Sequence, residues 1–466
     1  MLYHSTRGLE EPKSFYEVLH SGLARDGGLF VPKFIPRLDE KTLAQWKHLS
    51  YEKLAVEIIS LFSGDCFSKT ELSDIVHQSY SGFQHELKSP LIKLKEKHYF
   101  LELFHGPTLA FKDFAMQVIA KMFATTLQKK NLNINIVTAT SGDTGSAAVE
   151  AFKGISNINL YVLYPHERIS QIQRKQMTTS NAKNVKVFAV KGTFDDCQSI
   201  VKELFADKAL VSDVNLSGVN SINWARILVQ IVYYFSAFYQ LKNPSEGKLN
   251  FSVPTGNFGD AYAGFIAKRM GLPINKIIVA TNTNDILHRV FKTGVYKRDS
   301  VSKTLSPSMD IQVASNFERL LFDLLNNDAK EVGKLMNDLS KKGHFILEKS
   351  ILTLISKDFG SGMVTDNDTI TTINHFFSEK GITLCPHSAI GVRVAKDFVD
   401  TGETVVSLGT AHPAKFKETV ERALDTSISI PMALQNIMEK QESVRVIPPS
   451  RQQVAEEIRK SYLREN

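Results

Sequence analysis

The chain has 466 residues, of which 43% are hydrophobic and 23% are charged. This composition is typical of a globular protein, and it excludes a disordered chain, a collagen-like repeat and a small disulfide-stabilised domain. Lysine and arginine number 56 against 49 aspartates and glutamates, which leaves a formal net charge of +7. Because no stretch is rich in Lys and Arg, this mild excess permits an anionic substrate but does not favour a nucleic-acid partner.

The cysteines argue for a reducing compartment. Cys66, Cys197 and Cys385 are odd in number and far apart, and no Cys/His series has zinc spacing, so the sequence predicts neither a disulfide framework nor a metal site. The first residues do not resemble a signal peptide. The most apolar long segment, 225–241, is interrupted by polar residues and predicts a buried helix instead of a membrane span. We therefore expect a cytoplasmic protein with no membrane partner.

Helices and strands alternate through most of the chain. Near the amino terminus, helices are predicted over 51–62 and 69–81. Short Val- and Ile-rich runs further along, bounded by polar residues, Gly or Pro, are typical of buried parallel strands. Such strands are predicted over 132–138, 159–164, 185–190, 249–253, 276–280 and 404–408. Amphipathic segments between them, such as 114–127 and 197–205, predict helices.

This order of elements predicts an α/β fold with doubly wound, mostly parallel sheets. Residues 1–90 are expected to form a largely helical N-terminal module, and residues 91–425 the core. Within the core, residues 293–380 are mostly helical by pattern and predict an insertion or small lobe. Residues 426–466 are interpreted as a C-terminal tail.

The loop after the predicted strand 132–138 contains the sequence Ser-Gly-Asp-Thr-Gly-Ser over residues 141–146. Its two glycines allow close approach of the backbone to a ligand, and a helix beginning near Ser146 would offer free N–H groups. The hydroxyls of Ser141 and Thr144 add donors suited to a carboxylate. The alternative is a plain strand-to-helix turn in which Asp or Ser caps the helix.

A second glycine loop, over residues 254–260, follows the predicted strand 249–253 and precedes another helix. This arrangement suits a phosphate group at the helix N-terminus. The loop lacks the Gly-Lys-Ser/Thr of a nucleotide-binding P-loop and the GxGxxG spacing of a dinucleotide site. A structural turn is the alternative.

Two further positions complete the set of candidates. Lys112 is flanked by Phe111 and Phe114, and apolar surroundings lower the pKa of a lysine and make it a usable nucleophile. Asp113 opposes this by stabilising the ammonium form, so a solvated surface lysine is the alternative. In the loop 407–413, a hydroxyl at the strand end is suited to a heteroaromatic nitrogen, although from the residues alone a simple turn is the favoured interpretation.

Together these groups match the requirements of a pyridoxal-phosphate site. Such a site needs a nucleophilic lysine, a loop for the cofactor phosphate, a loop for the substrate carboxylate and a partner for the ring nitrogen. No single loop is specific, but the combination is.

The chain also resembles the threonine synthases, which are pyridoxal-phosphate enzymes of the tryptophan-synthase-β fold type. The matching motifs run in family order, and they lie at 5–8, 26–32, 105–113, 140–145, 220–226, 256–260, 280–287 and 407–415. The resemblance covers nearly the whole chain. It implies two α/β lobes around a cofactor cleft, preceded by the N-terminal module.

By this resemblance, Lys112 would bind the pyridoxal phosphate covalently and act as the catalytic residue. Thr410 would meet the pyridine nitrogen. The cofactor phosphate or its neighbouring atoms would be bound by Gly256, Asn257, Phe258 and Asp260. The substrate carboxylate or the ring hydroxyl would be received by Ser141, Asp143 and Thr144.

The resemblance further implies a phosphorylated amino acid, O-phospho-L-homoserine, as substrate and threonine as product. Ser221 and Arg226 match the positions for the substrate phosphate, since arginine presents a planar fork that binds phosphate in a bidentate way. From the residues alone, Arg226 reads instead as a helix residue paired with a carboxylate. The alternatives to this activity are a phospho-lyase that releases 2-oxobutyrate, ammonia and phosphate, and a non-catalytic binding protein. A monomer or a homodimer is expected.

One position departs from the family pattern. An acidic residue usually precedes the Pro-His pair that stands here at Pro386 and His387, and this chain has Cys385 instead. If the acid orders that loop, the stability of the loop is expected to differ.

Overall fold

The computed structural model describes residues 1–241 and 249–465, and Asn466, the last residue of the predicted tail, lies outside them. The strands are β1 (Leu2–Ser5), β2 (Lys13–Ser14), β3 (Phe30–Pro32), β4 (Leu91–Lys95), β5 (His98–Glu102), β6 (Ile134–Ala139), β7 (Ile158–Pro165), β8 (Val185–Val190), β9 (Leu216–Ser217), β10 (Leu249–Pro254), β11 (Ile274–Thr281), β12 (Val295–Lys297), β13 (His344–Ile346), β14 (Phe359–Met363), β15 (Thr404–Gly409) and β16 (Arg445–Ile447).

The α-helices are α1 (Phe15–Ser21), α2 (Glu40–Trp46), α3 (Tyr51–Ser63), α4 (Lys69–Tyr80), α5 (Lys112–Lys130), α6 (Asp143–Phe152), α7 (Gln171–Thr178), α8 (Phe194–Ala206), α9 (Lys208–Asp213), α10 (Trp224–Gln240), α11 (Gly259–Arg269), α12 (Ile286–Thr293), α13 (Phe317–Leu324), α14 (Ala329–Lys342), α15 (Lys349–Asp358), α16 (Asp366–Lys380), α17 (Pro386–Asp400), α18 (Lys417–Leu424), α19 (Met432–Met438) and α20 (Arg451–Glu465). Short 3-10 helices lie at Gly64–Cys66, Pro307–Met309 and Pro413–Phe416.

The structure confirms the strands and helices predicted from periodicity. The six predicted strands coincide closely with β6, β7, β8, β10, β11 and β15. The helix boundaries follow from capping: the Ser50 hydroxyl accepts from the Lys53 N–H, and Ser68 and Glu71 form a reciprocal capping box at α4. The helix predicted from residue 114 begins earlier, which places Lys112 in the first turn of α5.

Two mostly parallel sheets form the two lobes, as predicted. The first has the strand order β14-β11-β10-β15-β5-β4, and its strands are parallel except for the β4–β5 pair. The second has the order β16-β8-β7-β6-β9, with parallel neighbours. Successive residues of β11, such as Ile277 and Ile278, belong to different hydrophobic clusters, so the sheet is buried on both faces.

Two segments predicted without strands contribute to these sheets. In the region 426–466, β16 pairs with β8 and α20 packs against α8. In the region 293–380, β14 pairs with β11, while β12 and β13 form a separate antiparallel pair. Among the described helices, none combines the length and the apolar character that crossing a membrane requires.

The N-terminal module contains a small antiparallel sheet of order β2-β1-β3 and is joined to the core by buried charged groups. Glu318 of α13 accepts from the Thr6 hydroxyl at 2.6 Å and from Arg7 Nε at 3.1 Å. Arg319, which is fully buried, donates through Nε to the carbonyl of Phe30 at 3.0 Å. Because buried charges are costly without partners, these contacts fix the module against α13.

Trp224 of α10 packs against the same module, with its ring centroid 5.9 Å from that of Tyr3 and 5.9 Å from that of Phe62. We expect Trp224→Ala to lower the free energy of unfolding by about 3–5 kcal/mol, because it removes a large buried ring and leaves a cavity. Chemical denaturation measures this loss. Phe34, which is 60% exposed, provides the control, and Phe34→Ala should change stability by less than about 0.5 kcal/mol. Equal losses in the two variants would contradict the packing role.

Candidate active site

The loop before α5 positions Lys112 and is tied to a second loop. Asp113 Oδ2 accepts from the Thr108 backbone N–H at 2.8 Å, and Asp113 Oδ1 accepts from the Thr108 hydroxyl at 2.6 Å. The backbone N–H of Phe111 donates to the carbonyl of Thr410 at 2.9 Å. The loop that carries Lys112 is therefore joined to the loop that follows β15.

The side chain of Lys112 is only 13% exposed. Its Nζ lies 3.5 Å from Asp143 Oδ2 and 4.5 Å from the centroid of the Phe111 ring. Burial lowers the pKa of the Lys112 amine; the Asp143 carboxylate opposes that shift, and the positive charges of Arg226 and Lys415 add to it. The net direction favours the neutral amine, which is the form that acts as a nucleophile or a base.

The loop after β6 turns directly into α6, whose first residue is Asp143. The Thr140 hydroxyl accepts from the N–H of Gly142 at 2.9 Å and from that of Gly145 at 2.8 Å, which fixes the turn. Gly142 has φ of 135°, a conformation that favours glycine. The helix begins earlier than the predicted start near Ser146, so Asp143 stands at its N-terminus.

Asp143 is buried between a glutamine and two lysines. Its Oδ1 accepts from Gln173 Nε2 at 2.9 Å and lies 3.0 Å from Lys415 Nζ. Burial alone would raise the pKa of the Asp143 carboxyl, but the Lys415 ammonium, with smaller effects from Lys112 and Gln173, holds the pKa well below its usual range. Asp143 is therefore a carboxylate.

The second glycine loop leads from β10 into α11. Phe258, with φ of 63°, occupies the N-cap in a left-handed conformation. The carbonyl of Asn257 accepts from the backbone N–H of Asn316 at 3.1 Å and from its Nδ2 at 3.0 Å. A Cβ on Gly256 would lie 2.9 Å from Ile311 Cδ1, so the loop packs too closely for a side chain there. The first N–H groups of a helix lack intrahelical acceptors, so this loop and α11 offer donors to an anion.

Asp260, in the first turn of α11, has its carboxylate engaged by two tyrosines. Tyr233 donates its hydroxyl to Oδ1 at 2.5 Å, and Tyr234 donates to the same oxygen at 2.9 Å. Burial raises the pKa of Asp260 to about 6. Because an ionised carboxylate repels phosphate, the part of Asp260 suited to a phosphate group is its backbone N–H.

Thr410 directly follows β15, and its Oγ1 is buried without a hydrogen-bond partner among the described residues. Its backbone N–H donates to Ser388 Oγ at 3.0 Å. Ser388 Oγ in turn lies 3.1 Å from Cys385 Sγ, and the thiol caps α17 by accepting from the Ser388 N–H at 3.4 Å. The N-cap position of α17 is therefore filled by sulfur, and the helix keeps its cap.

Arg226, in the first turn of α10, is 3% exposed. Its Nη1 donates to the carbonyl of Val219 at 3.4 Å, and its Nε is buried without a partner in the described part of the chain. Burial lowers the pKa of Arg226 to about 10, so the guanidinium remains charged at neutral pH. The residue-level alternative, a helix residue paired with a carboxylate, is not what the described contacts show.

The residues predicted for the site line a single cleft. It gathers the eleven residues predicted for the site, from loops of both lobes: Lys112, Ser141, Asp143, Thr144, Ser221, Arg226, Gly256, Asn257, Phe258, Asp260 and Thr410. Cationic, hydroxyl and backbone N–H groups thus converge on one space, which suits a ligand with several anionic groups.

Family patterns match successive parts of the chain. The pattern described as threonine synthase N terminus matches residues 2–80, that of pyridoxal-phosphate dependent enzymes matches 83–350, and that of threonine synthase, C-terminal, matches 388–458. Threonine synthase of Pseudomonas aeruginosa is 44% identical over 450 residues, which is 96% of each chain. The PLP-bound threonine synthase structure from Brucella melitensis has a TM-score of 0.94, with 43% identity over 99% of each chain. The yeast threonine synthase structure has a TM-score of 0.93 with 40% identity, covering 100% of this chain and 99% of that chain.

The chain belongs to the threonine synthase family. It is therefore a pyridoxal-phosphate-dependent enzyme, and the cleft can be tested for its fit to that cofactor. Lys112 supplies an amine, and Thr410 supplies a buried hydroxyl that lacks a partner among the described residues. The loop before α11 supplies backbone donors at a helix N-terminus. The cleft of this threonine synthase family member therefore has the groups that pyridoxal phosphate requires.

Sequence reasoning missed several residues of the cleft and its wall. Lys415 is fully buried beside Asp143. It lies at the end of the motif 407–415, and its apolar neighbours in the sequence were a signal that could have identified it. Gln173 and His387 also act on the site, the first through Asp143 and the second as a lining residue. Neither carries a local signal, because each comes from a helix distant in sequence. His412 accepts from the Ala414 N–H and caps the 3-10 helix.

Proposed function

We propose that the cleft converts O-phospho-L-homoserine and water to L-threonine and inorganic phosphate by a β,γ-replacement. The observation that carries this proposal is the presence in one cleft of the Lys112 amine and of the buried guanidinium of Arg226, which has no carboxylate partner among the described residues. The first group suits an aldehyde, and the second suits a phosphate. Such an enzyme is a carbon–oxygen lyase acting on phosphate, and it completes threonine biosynthesis.

When bound, pyridoxal phosphate supplies an aldehyde carbon for attachment and an electron sink for negative charge at Cα. Lys112 would hold that carbon through Nζ, and the Thr410 hydroxyl, which lacks a partner among the described residues, would serve the pyridine nitrogen. A hydroxyl partner keeps the nitrogen neutral, whereas a carboxylate would favour its protonation. Backbone N–H groups for the cofactor phosphate come from Gly256, Asn257, Phe258 and Asp260.

The loop at the start of α6 receives the anionic end of the amino acid. The hydroxyls of Ser141 and Thr144, together with the N–H groups of the first turn of α6, suit the α-carboxylate. Asp143 is itself a carboxylate, so it does not suit a second carboxylate and instead accepts from the ring hydroxyl.

At the other end of the substrate, Arg226 binds the γ-phosphate and Ser221 adds a hydroxyl. A buried guanidinium without a protein counter-ion is costly, and a phosphate dianion offsets that cost. The same positive charge stabilises the phosphate as it leaves. Arg226 therefore both binds the substrate and assists departure of its leaving group.

With substrate bound, the Lys112 amine would also serve as the general base for the proton on Cα. Its Nζ is the nucleophilic group in the cleft whose pKa is lowered by burial, and a neutral amine is needed to accept a proton. The nearby ring of Phe111 excludes water on one side of the amine. Proton transfer and cofactor attachment therefore use the same nitrogen at different stages.

Lys112→Ala tests the assignment of this nitrogen. We expect the variant to lose both the yellow absorbance of bound cofactor and activity, because no amine remains to bind the aldehyde. Lys121→Ala, on the same helix, is the control and should retain both. Borohydride reduction followed by peptide mapping reports the attachment site. Cofactor reduced onto a different lysine in the Lys112→Ala variant would contradict the assignment.

Arg226→Lys tests the phosphate assignment while keeping the positive charge. Loss of the bidentate fork should raise the KM for phosphohomoserine on the order of 10- to 100-fold, with a much smaller change in cofactor affinity. Steady-state kinetics and cofactor titration measure the two effects. Arg393→Lys, at an exposed position paired with Asp397, should leave both unchanged. Equal losses of substrate and cofactor binding would remove the support for a substrate-phosphate role.

The reaction itself is tested by product analysis. Purified protein incubated with phosphohomoserine should form threonine and phosphate in equal amounts, as measured by NMR and phosphate assay. Release of 2-oxobutyrate and ammonia with phosphate would instead identify a phospho-lyase. Absence of turnover in protein that cannot take up the cofactor would point to a non-catalytic binding protein.

The remaining expectations concern assembly and compartment. The eleven cleft residues come from one chain, which supports a monomer or a homodimer whose sites are complete within each subunit. Cys66, Cys197 and Cys385 are free thiols, which supports a reducing, cytoplasmic environment. The partner of the site is then a small phosphorylated amino acid.

A further inference from the structure

Lys415 is a buried lysine that has no role in the function proposed above. Its side chain is 0% exposed, and its Nζ lies 3.0 Å from Asp143 Oδ1. The same Nζ donates to the carbonyl of Thr108 at 2.8 Å. Because lysine is almost never fully buried unless it is paired, these two contacts account for its position.

Two lysines therefore share one carboxylate. Lys415 Nζ is 3.0 Å from Oδ1 of Asp143, and Lys112 Nζ is 3.5 Å from Oδ2. Attraction between charges rises as their separation falls, so Lys415 is the stronger partner. This matters because a lysine that is the main partner of a buried carboxylate stays protonated, and a protonated amine neither attacks an aldehyde nor accepts a proton.

We propose that Lys415 is a positioning residue for Lys112: it neutralises Asp143 and so leaves Lys112 as an uncharged amine. The inference rests on the proposed use of Lys112 as the cofactor-binding amine and base. Without Lys415, Lys112 becomes the principal positive partner of Asp143 and is held as an ammonium group.

The other charged groups around the two lysines either have hydrogen-bond partners of their own or, like Arg226, lower the pKa of Lys112 as Lys415 does. Asp113 accepts two hydrogen bonds from Thr108, and Asp260 accepts from two tyrosines, so each carboxylate has hydrogen-bond partners other than the lysines. His387 stays neutral, since burial lowers its pKa to about 3. Groups facing the lysines from the surrounding elements are Asp113 (α5), Asp143 (α6), Arg226 (α10), Asp260 (α11), His387 (α17) and His412.

Lys415 also fixes the distance between Lys112 and Asp143. Through its two contacts it links Thr108, which precedes α5, to Asp143, the first residue of α6. Thr108 is itself bound to Asp113, the neighbour of Lys112. The Lys415 ammonium group therefore holds the first turns of α5 and α6 at a fixed separation and also supplies the positive charge that neutralises Asp143.

The test measures the ionisation of Lys112 directly. Full-length protein freed of cofactor is treated briefly with acetic anhydride at a series of pH values, and acetylation of Lys112 is quantified by mass spectrometry. In Lys415→Met, the midpoint of the labelling profile should move to higher pH, and labelling at pH 8 should fall on the order of ten-fold. The sign follows because only the neutral amine reacts, and a raised pKa lowers its fraction at fixed pH. Lys417→Met, at a 41% exposed lysine paired with Glu421, should match the parent.

A second substitution separates charge from structure. Asp143→Asn added to Lys415→Met removes the carboxylate that would hold Lys112 protonated, so the profile should return to or below the parent midpoint. If Lys415→Met does not fold, Asp143→Asn alone should move the midpoint to lower pH. A purely structural role for Lys415 would lower thermal stability without moving the profile. An unchanged profile in Lys415→Met, or one not reversed by Asp143→Asn, overturns the inference.

These outcomes are distinguishable from failure of the proposed function. If Lys112→Ala loses cofactor while Lys415→Met shows an unshifted profile, the reaction stands and the role of Lys415 is wrong. If Lys112 proves not to carry the cofactor, the proposed function fails first, whatever the labelling shows.

Discussion

The parallel pairing of β5 with β15 determines the geometry of the cleft. Its register ends both strands at the same level, and the chain beyond each strand stays linked, since Ala110 and Ala411 form a β-bridge. Lys112 and Thr410 therefore lie on loops that cannot move independently. In the proposed function, Lys112 and Thr410 would meet opposite ends of the same cofactor ring, and positioning by paired backbone is more exact than positioning by flexible side chains alone.

Burial, not net charge, distinguishes the cations of the cleft from those of the surface. Lys69, for example, is 68% exposed and pairs with Glu57, and such a surface pair contributes little to stability. Arg226 is buried without a carboxylate among the described residues, and that arrangement costs folding free energy until an anion binds. The formal net charge of +7 includes the exposed Lys69 and the buried Arg226 with equal weight. In the proposed function, binding of the substrate phosphate would draw on this positive charge, which has no carboxylate partner among the described residues.

The loops and residue types of the site were predictable from the sequence, whereas contacts between residues distant in the sequence were not. Glycine loops after Val-rich strands can be recognised in the sequence, because close approach of the backbone to a ligand and the start of a helix both depend on local residues. The contact between Asp143 and Lys415 depends on how two lobes meet, and no periodicity reports it. The strand β14, Phe-Gly-Ser-Gly-Met, was not predicted for a different reason. Its two glycines, Gly360 and Gly362, leave room for the side chains of Phe398 and Val394. The apolar side chains that pack there belong to another element, so the sequence of β14 itself lacks the apolar pattern of a strand.

Cys385 caps α17 with sulfur at a position where the family resemblance leads us to expect an acidic residue. The cap of α17 needs an acceptor for the Ser388 N–H, and the sulfur provides one. The thiol is 1% exposed, and burial raises its pKa, so it stays neutral. An acidic residue at this position would place a second carboxylate within electrostatic range of Asp143 and compete for the same lysines. A neutral cap therefore keeps Asp143 as the carboxylate that balances Lys415, and the loop that holds Thr410 is secured without adding charge to the cleft.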